Sequence, residues 1–143
     1  MSLVVRKARH EEFSTVLEFL RENGYPLEVN PADAFYVAVE QDAVIGVVRL
    51  AREFELTVLR GMRVAPARQR RGVGTRLLHV LEKDLADTAC YCLPYVHLVE
   101  FYGQIGFRVL DPLEAPAHLL ERIAAYRAMG NGKQYTLMYR PQR

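Results

Sequence analysis

Three β-rich runs follow one another with almost nothing between them, and no other feature of the chain limits its fold so strongly. Residues 35–41 and 44–51 are separated by Asp42-Ala43, a hairpin signal, and a third run at 55–64 follows a short polar break. Parallel strands need a crossover of a dozen or more residues, so runs joined this tightly must pair antiparallel. The rest of the chain alternates. Residues 3–8 read as a short strand. Residues 10–23 read as a helix with Phe13, Val16, Leu17 and Leu20 at helical spacing, acidic residues Glu11 and Glu12 in its first turn, and Gly24 as its stop. Residues 25–33, with two prolines, form a loop.

After Pro66 a helix is expected over 72–86, with Val73, Leu77, Val80, Leu81 and Leu85 on one face. A short strand at 89–93 closes at Pro94, and a second helical pattern at 97–105 stops at Gly106. A brief strand at 107–110 and a proline-marked linker lead to a helix at 116–129, which starts on proline and ends at Gly130. A strand at 134–140 closes the chain. The order βα-βββ-αβ-αβ-αβ describes an α/β chain with a mixed sheet and helices on its faces, one domain over residues 1–143.

At 143 residues the chain can bury a real core, and its 50% hydrophobic and 25% charged content is that of a globular protein. No stretch approaches the roughly 20 apolar residues that span a bilayer, and the opening MSLVVRKARHEEF has no secretion-signal pattern. The expected location is cytoplasmic, with no membrane partner. A net charge of +2 is too near neutral to argue for nucleic acid. The basic residues are uneven, however: Arg63, Arg68, Arg70 and Arg71 fall within nine positions, which suits a small anion better than a long polyanion. The two cysteines, Cys90 and Cys92, would share a strand face with Cα atoms roughly 6.5–7 Å apart, marginal for a disulfide. With only His97 nearby they make a poor metal set, so no metal is expected, and two half-buried small hydrophobes is the plainer reading.

The chemistry-bearing stretch is Val64-Ala-Pro-Ala-Arg-Gln-Arg-Arg-Gly-Val-Gly-Thr75. A strand ends, a basic loop follows, and a helix starts at two glycines spaced by one. A helix amino terminus presents unpaired N–H groups and partial positive charge to an anion. Gly72 and Gly74 allow close backbone approach, while Arg70, Arg71 and the Thr75 hydroxyl can add hydrogen bonds. A bare G-x-G is more often a simple turn into a helix. A P-loop lacks its lysine here, since Thr75-Arg76-Leu77 follows Gly74, and a dinucleotide fingerprint lacks its third glycine at Leu77.

Gln69-Arg-Arg-Gly72-Val-Gly74 resembles the Q/R-x-x-G-x-G/A motif of the GNAT superfamily of N-acetyltransferases, and it follows the fourth strand as it does there. Phe101-Tyr102-Gly-Gln-Ile-Gly106-Phe107 resembles the family's second signature. The resemblance covers essentially the whole chain and is weakest over 25–33 and 111–132. It implies a GNAT-like fold, a twisted mixed sheet splayed between its fourth and fifth strands with helices on both faces. It also implies acetyl-CoA as co-substrate and direct acyl transfer to a primary amine of a small-molecule or peptide acceptor. Met62, Arg63 and Val64 correspond to backbone that pairs with the pantetheine arm. Gln69, Arg70, Arg71, Gly72, Val73, Gly74 and Thr75 correspond to the pyrophosphate turn. Tyr102 corresponds to the tyrosine that protonates the leaving thiolate. One departure stands out: Tyr95 occupies the place, seven residues before that tyrosine, where the family often has Asn, and Pro94 precedes it.

Two other functional classes remain open, a non-catalytic acyl-CoA-binding regulator and a nucleic-acid module using the arginine loop. A homodimer is also left open. His79 lies off the apolar stripe of its helix and reads as surface; His97 and Glu100 have no motif behind them; Arg6-Lys7-Arg9 reads as a solvated edge. Alternation along 55–64 puts Leu56, Val58, Arg60, Met62 and Val64 on one face and Glu55, Thr57, Leu59, Gly61 and Arg63 on the other. No carboxylate on this strand is then placed as a base, and Glu55 could turn inward only through a β-bulge.

Overall fold

The computed structural model describes residues 2–25 and 29–142, and the part of the 25–33 loop at residues 26–28 lies outside them. The elements follow the expected order: β1 (Leu3–Lys7), α1 (Phe13–Glu22), β2 (Ala34–Glu40), β3 (Ala43–Glu53), β4 (Leu56–Val64), α2 (Val73–Leu85), β5 (Cys90–Cys92), α3 (Val99–Gly103), β6 (Arg108–Val109), α4 (Ala117–Ala128) and β7 (Met138–Arg140). They form two compact units, Met1–Ala86 and Asp87–Arg143.

In the first unit β1, β2, β3 and β4 lie side by side, each antiparallel to the next. Both hairpins are tighter than the sequence suggests. Gln41 and Asp42 carry φ of 52° and 61°, and Phe54 and Glu55 carry 47° and 67°. Two successive residues at positive φ are the mark of a type I′ turn, whose twist matches that of the strands it joins. The first turn is therefore Gln41-Asp42, one residue earlier than expected, and Ala43 already belongs to β3. Glu55 is an exposed turn residue and not part of β4.

Alternation assigns the faces. Phe35, Val37 and Val47 pack with Val16, Phe19 and Leu20 of α1. Phe19 was missed in the helical pattern, although it stands three residues after Val16. Tyr36, between Phe35 and Val37, points the other way, and its hydroxyl donates to Asp84 Oδ2 of α2 at 2.5 Å. Burial first, and then the Asp84 carboxylate, push the Tyr36 hydroxyl far above the usual tyrosine range, so it stays a donor. The sheet thus carries α1 on one face and α2 on the other. Gly46 sets how near α2 can come, since a Cβ there would lie 3.2 Å from both Leu77 Cδ1 and Val73 Cγ1. The buried stripe of α2 is Val73, Leu77, Leu78, Leu81 and Leu85. Leu78 takes the place expected of Val80, which is half-buried. Arg6 is also more than a solvated edge: it grips Glu12 at 2.8 and 2.9 Å, fastening β1 to the start of α1.

The second unit has shorter strands. β7 pairs antiparallel with both β5 and β6. The strand expected at 134–140 is regular only from Met138. Before that it meets residues 94–96 through single contacts, Thr136 N–H to the Pro94 carbonyl at 3.0 Å and Val96 N–H to the Gln134 carbonyl at 2.9 Å. Pro94 has no N–H to continue a ladder, which accounts for the break. Cys90 and Cys92 form no disulfide and are fully buried rather than half-buried, on one face of β5, while the Tyr91 ring on the other face lies tilted against Tyr139, 4.8 Å between centroids. Leu119 and Ile123 anchor α4.

Candidate active site

The turn between β4 and α2 is built by backbone conformation. Gln69 has φ −69°, Arg70 +65°, Gly72 +78°, and Val73 begins the helix. Arg71 is not among the positive-φ residues, so the sign of φ alternates through the turn. Alternation of this kind turns successive N–H groups toward a common concavity, an anion-binding nest. The helix adds to it. No side chain caps Gly72, and the first intrahelical bond is Arg76 N–H to the Gly72 carbonyl at 3.1 Å. The N–H groups of Val73, Gly74 and Thr75 precede that bond and face outward with the positive end of the helix dipole.

The side chains of the motif do something other than expected. Gln69 donates through Nε2 to the Val64 carbonyl at 3.0 Å, tying the loop to the end of β4. Arg68 and Arg71 both reach Glu40, at 2.7 and 3.4 Å. Glu40, the last residue of β2, is a buried carboxylate that fixes the loop from below. Sequence reasoning passed it over because it lies some thirty positions from the motif; an acidic residue ending an otherwise apolar strand was the available signal. With Arg68 and Arg71 pairing it, Glu40 does not repel an anion from the turn. The arginine cluster also divides, since Arg70 is exposed on the loop while Arg63 lies on the α1 face of the sheet.

The structure puts Arg63 on that face because β4 is bulged. Arg60 pairs with Arg49 and Arg63 with Val47, so Gly61 and Met62 together oppose the single residue Val48. Gly61, at φ +67°, is the left-handed first residue of a glycine bulge. Alternation along β4 therefore changes phase. Arg60 and Arg63 share a face, which corrects the expected grouping of Arg63 with Glu55, Thr57 and Leu59. Around the bulge Tyr25 is held by Arg49, which donates to its hydroxyl at 3.2 Å and is itself paired with Asp33 at 2.7 Å. The Arg63 guanidinium lies 4.9 Å from the Tyr25 ring centroid.

Residues 62–64 and 69–75 thus come together in the first unit. Tyr102 belongs to the second. It lies on α3, buried, with its ring against Phe101 and Phe107 in edge-on contacts of 5.0 and 6.2 Å. The turn that follows α3 is fixed by Arg140, whose Nε donates to the Ile105 carbonyl at 2.7 Å and whose Nη1 donates to the Thr88 carbonyl at 3.3 Å. Tyr95 stands in an aromatic column with His97 and Tyr135, extended by Tyr126. His79 and His97 are exposed. Among the described residues there is no group of three His, Cys, Asp or Glu side chains that could hold a metal, and no helix long and apolar enough to cross a membrane.

The sequence model of the acetyltransferase (GNAT) family matches residues 4–107. In fold the chain is similar to ribosomal-protein-S18-alanine N-acetyltransferase from Escherichia coli, with a TM-score of 0.70 at 12% identity over 99% of this chain and 94% of that one. It is also similar to the PaiA N-acetyltransferase of Thermoplasma acidophilum in complex with coenzyme A, with a TM-score of 0.65 at 17% identity over 100% of both chains. N-acetylglutamate synthase from Neisseria gonorrhoeae, complexed with coenzyme A and N-acetyl-glutamate, gives a TM-score of 0.66 at 20% identity over 100% of this chain, which spans only 36% of that longer one. No curated protein sequence matches the chain at a significant level.

Proposed function

From the premise that this chain belongs to the acetyltransferase (GNAT) family, we propose that it holds acetyl-CoA on the 69–75 turn and passes the acetyl group directly to a primary amine of a small-molecule or peptide acceptor. The observation that carries this reading is the alternating backbone of Gln69–Val73 running into an uncapped helix. It matches what a pyrophosphate needs: several convergent N–H donors, a helix dipole, and no unpaired carboxylate beside them.

In this reading the N–H groups of Arg70 through Thr75 hold the pyrophosphate, with the Arg70 and Arg71 side chains and the Thr75 hydroxyl beside it. The backbone of Met62, Arg63 and Val64 holds the pantetheine arm. Acetyl-CoA supplies a thioester: the amine lone pair forms the C–N bond, the C–S bond breaks, and the sulfur leaves as a thiolate that takes up a proton. The chain's own tasks are to position, polarise and donate that proton. The bulge at Gly61-Met62 leaves one residue outside the β3 ladder, and its N–H is the donor that polarises the carbonyl. Tyr102 is the proton donor to the thiolate. Glu55 takes no part, being exposed in a turn, and the amine proton leaves through water or through a residue such as His97 or Glu100. PaiA N-acetyltransferase, bound to coenzyme A over the same fold, is consistent with this use of the chain.

Calorimetric titration of acetyl-CoA into wild-type and Gly72→Val protein tests the placement. A Cβ at residue 72 meets no protein atom within 4 Å, but φ of +78° is costly for a branched residue. Affinity is expected to fall tenfold or more, at least about 1.4 kcal/mol. Unchanged affinity in a folded variant would remove the cofactor from this turn. Thiol release from acetyl-CoA across an amine panel then separates transfer from mere binding.

A further inference from the structure

We propose that the Arg63 side chain, which the β4 bulge sets on the α1 face of the sheet, binds a carboxylate on the amine acceptor and so selects acceptors of the amino-acid kind. The inference rests on the reading that the backbone of residues 62–64 lies along the pantetheine arm. If so, the amine must come to rest beside this same stretch of β4, and Arg63 is the charged side chain that projects from it.

Charge accounting on that face singles Arg63 out. Arg49 is paired with Asp33 at 2.7 Å, and Arg60 with Glu53 at 3.2 Å. Each of those pairs sums to zero. Arg63 has no carboxylate within ion-pairing distance among the described residues. It donates once, from Nη1 to the Met62 carbonyl at 3.1 Å, and a guanidinium has five N–H donors. The group is half-buried, so an unmatched charge there is costly, and a ligand anion would relieve it. One uncompensated positive charge matches a monoanion better than a phosphate dianion, and the planar fork fits a carboxylate in bidentate fashion.

The group is also held in place. The Tyr25 ring lies against the guanidinium at 4.9 Å, Arg49 fixes the Tyr25 hydroxyl, and Asp33 fixes Arg49. Gly61 makes the seat for that ring, because a Cβ there would lie 3.2 Å from Tyr25 Cζ and Oη. One glycine thus both turns Arg63 onto this face and admits the ring that orients it.

The test uses matched probes: free L-amino acids, their α-amides, and O-phosphoethanolamine, with thiol release measured from acetyl-CoA. The wild type should prefer an acid over its amide by tenfold or more in kcat/KM. Arg63→Gln should bring that ratio near one, mainly through KM, while Arg63→Lys keeps part of it. A purely structural Arg63 would shift the melting temperature and leave the ratio alone. An unchanged ratio in Arg63→Gln, or no acid preference in the wild type, overturns the proposal, and a preference for the phosphorylated amine overturns the carboxylate assignment. Calorimetry of the same acids and amides on protein saturated with coenzyme A keeps the two readings apart. Acid-selective binding that Arg63→Gln abolishes supports the carboxylate site even where no probe turns over, and equal binding of acid and amide rejects it even where turnover is seen.

Discussion

The two units hold their functional groups by different physics. In the first, residues 69–75 offer backbone N–H groups, and polar tethers fix the shape of the turn: Glu40 to Arg68 and Arg71, and Gln69 to the Val64 carbonyl. In the second, the group of interest is one side chain, Tyr102. It is fixed by edge-on aromatic packing and by a buried arginine that binds carbonyls instead of carboxylates. A backbone site depends on shape, so its weak points are residues that set distance and φ. A side-chain site depends on one functional group, so a single atom can be removed while the scaffold stays.

Tyr102→Phe is the severest test of that contrast. It keeps the ring contacts and deletes only the hydroxyl, so turnover should fall by roughly 10²–10⁴ where protonation limits the rate. Acetyl-CoA affinity should stay within about twofold of wild type, as expected when the lost interaction acts only in the transition state. Steady-state kinetics with a good acceptor decides the matter, and unchanged turnover would reduce Tyr102 to packing. Arg140→Met is next. It leaves the Ile105 and Thr88 carbonyls without their donor in a fully buried place, at a cost of about 2–5 kcal/mol. Urea denaturation should show the loss, and a cost under about 1 kcal/mol would mean that the carbonyls find other donors.

Gly46→Ala probes the first unit in the same spirit. The added methyl meets buried Val73 and Leu77 side chains at 3.2 Å, so α2 or its neighbours must give way. About 1–2 kcal/mol of stability should be lost. Because Val73 directly follows Gly72, acetyl-CoA affinity should weaken with it; a stability loss that spares affinity would uncouple the sheet from the turn. Glu12→Gln is the mildest change. The Arg6 side chain, and then the Arg9 backbone N–H, hold the Glu12 carboxyl down at about 2, against 4.5 for a free carboxyl. A lowered native pKa stabilises the fold above the unfolded value, so the contribution is complete above about pH 4.5 and lost as pH falls toward 2. The pair is partly exposed, so the difference between wild type and variant should be under about 1 kcal/mol at pH 7. It should shrink on acidification in urea melts recorded across that range.

The first unit was also the more legible in sequence. Its long runs of alternating and helical hydrophobicity located β2, β3, β4, α1 and α2 to within a few residues, and the G-x-G at a helix start marked the turn. What escaped was set by pairing at a distance. The Glu40 tethers join positions some thirty residues apart, and the bulge at Gly61 appears only once β4 is laid against β3. Both hairpin turns were displaced because Gln41, Phe54 and Glu55 adopt positive φ without the glycine or asparagine that usually announces it. In the second unit, β5, β6 and β7 span two or three residues each, too short for periodicity to define. Tyr102 was found through its Gly106-Phe107 context. Arg140, a charged residue near the end of the chain, offered nothing to suggest that it would be among the most buried side chains.

The extra residue at Gly61 has a consequence for anyone transplanting specificity between related proteins. Up to Arg60, counting by twos along β4 keeps one face; beyond Met62 the same count lands on the other. A graft designed by simple alternation would deliver its new side chains to the wrong side of the sheet for every position past the bulge. Straightening the strand at its full length would be a frame-shift in space, exchanging the roles of Arg63 and Val64, whereas deleting one of the two bulge residues would restore plain alternation and leave both on the faces they now hold.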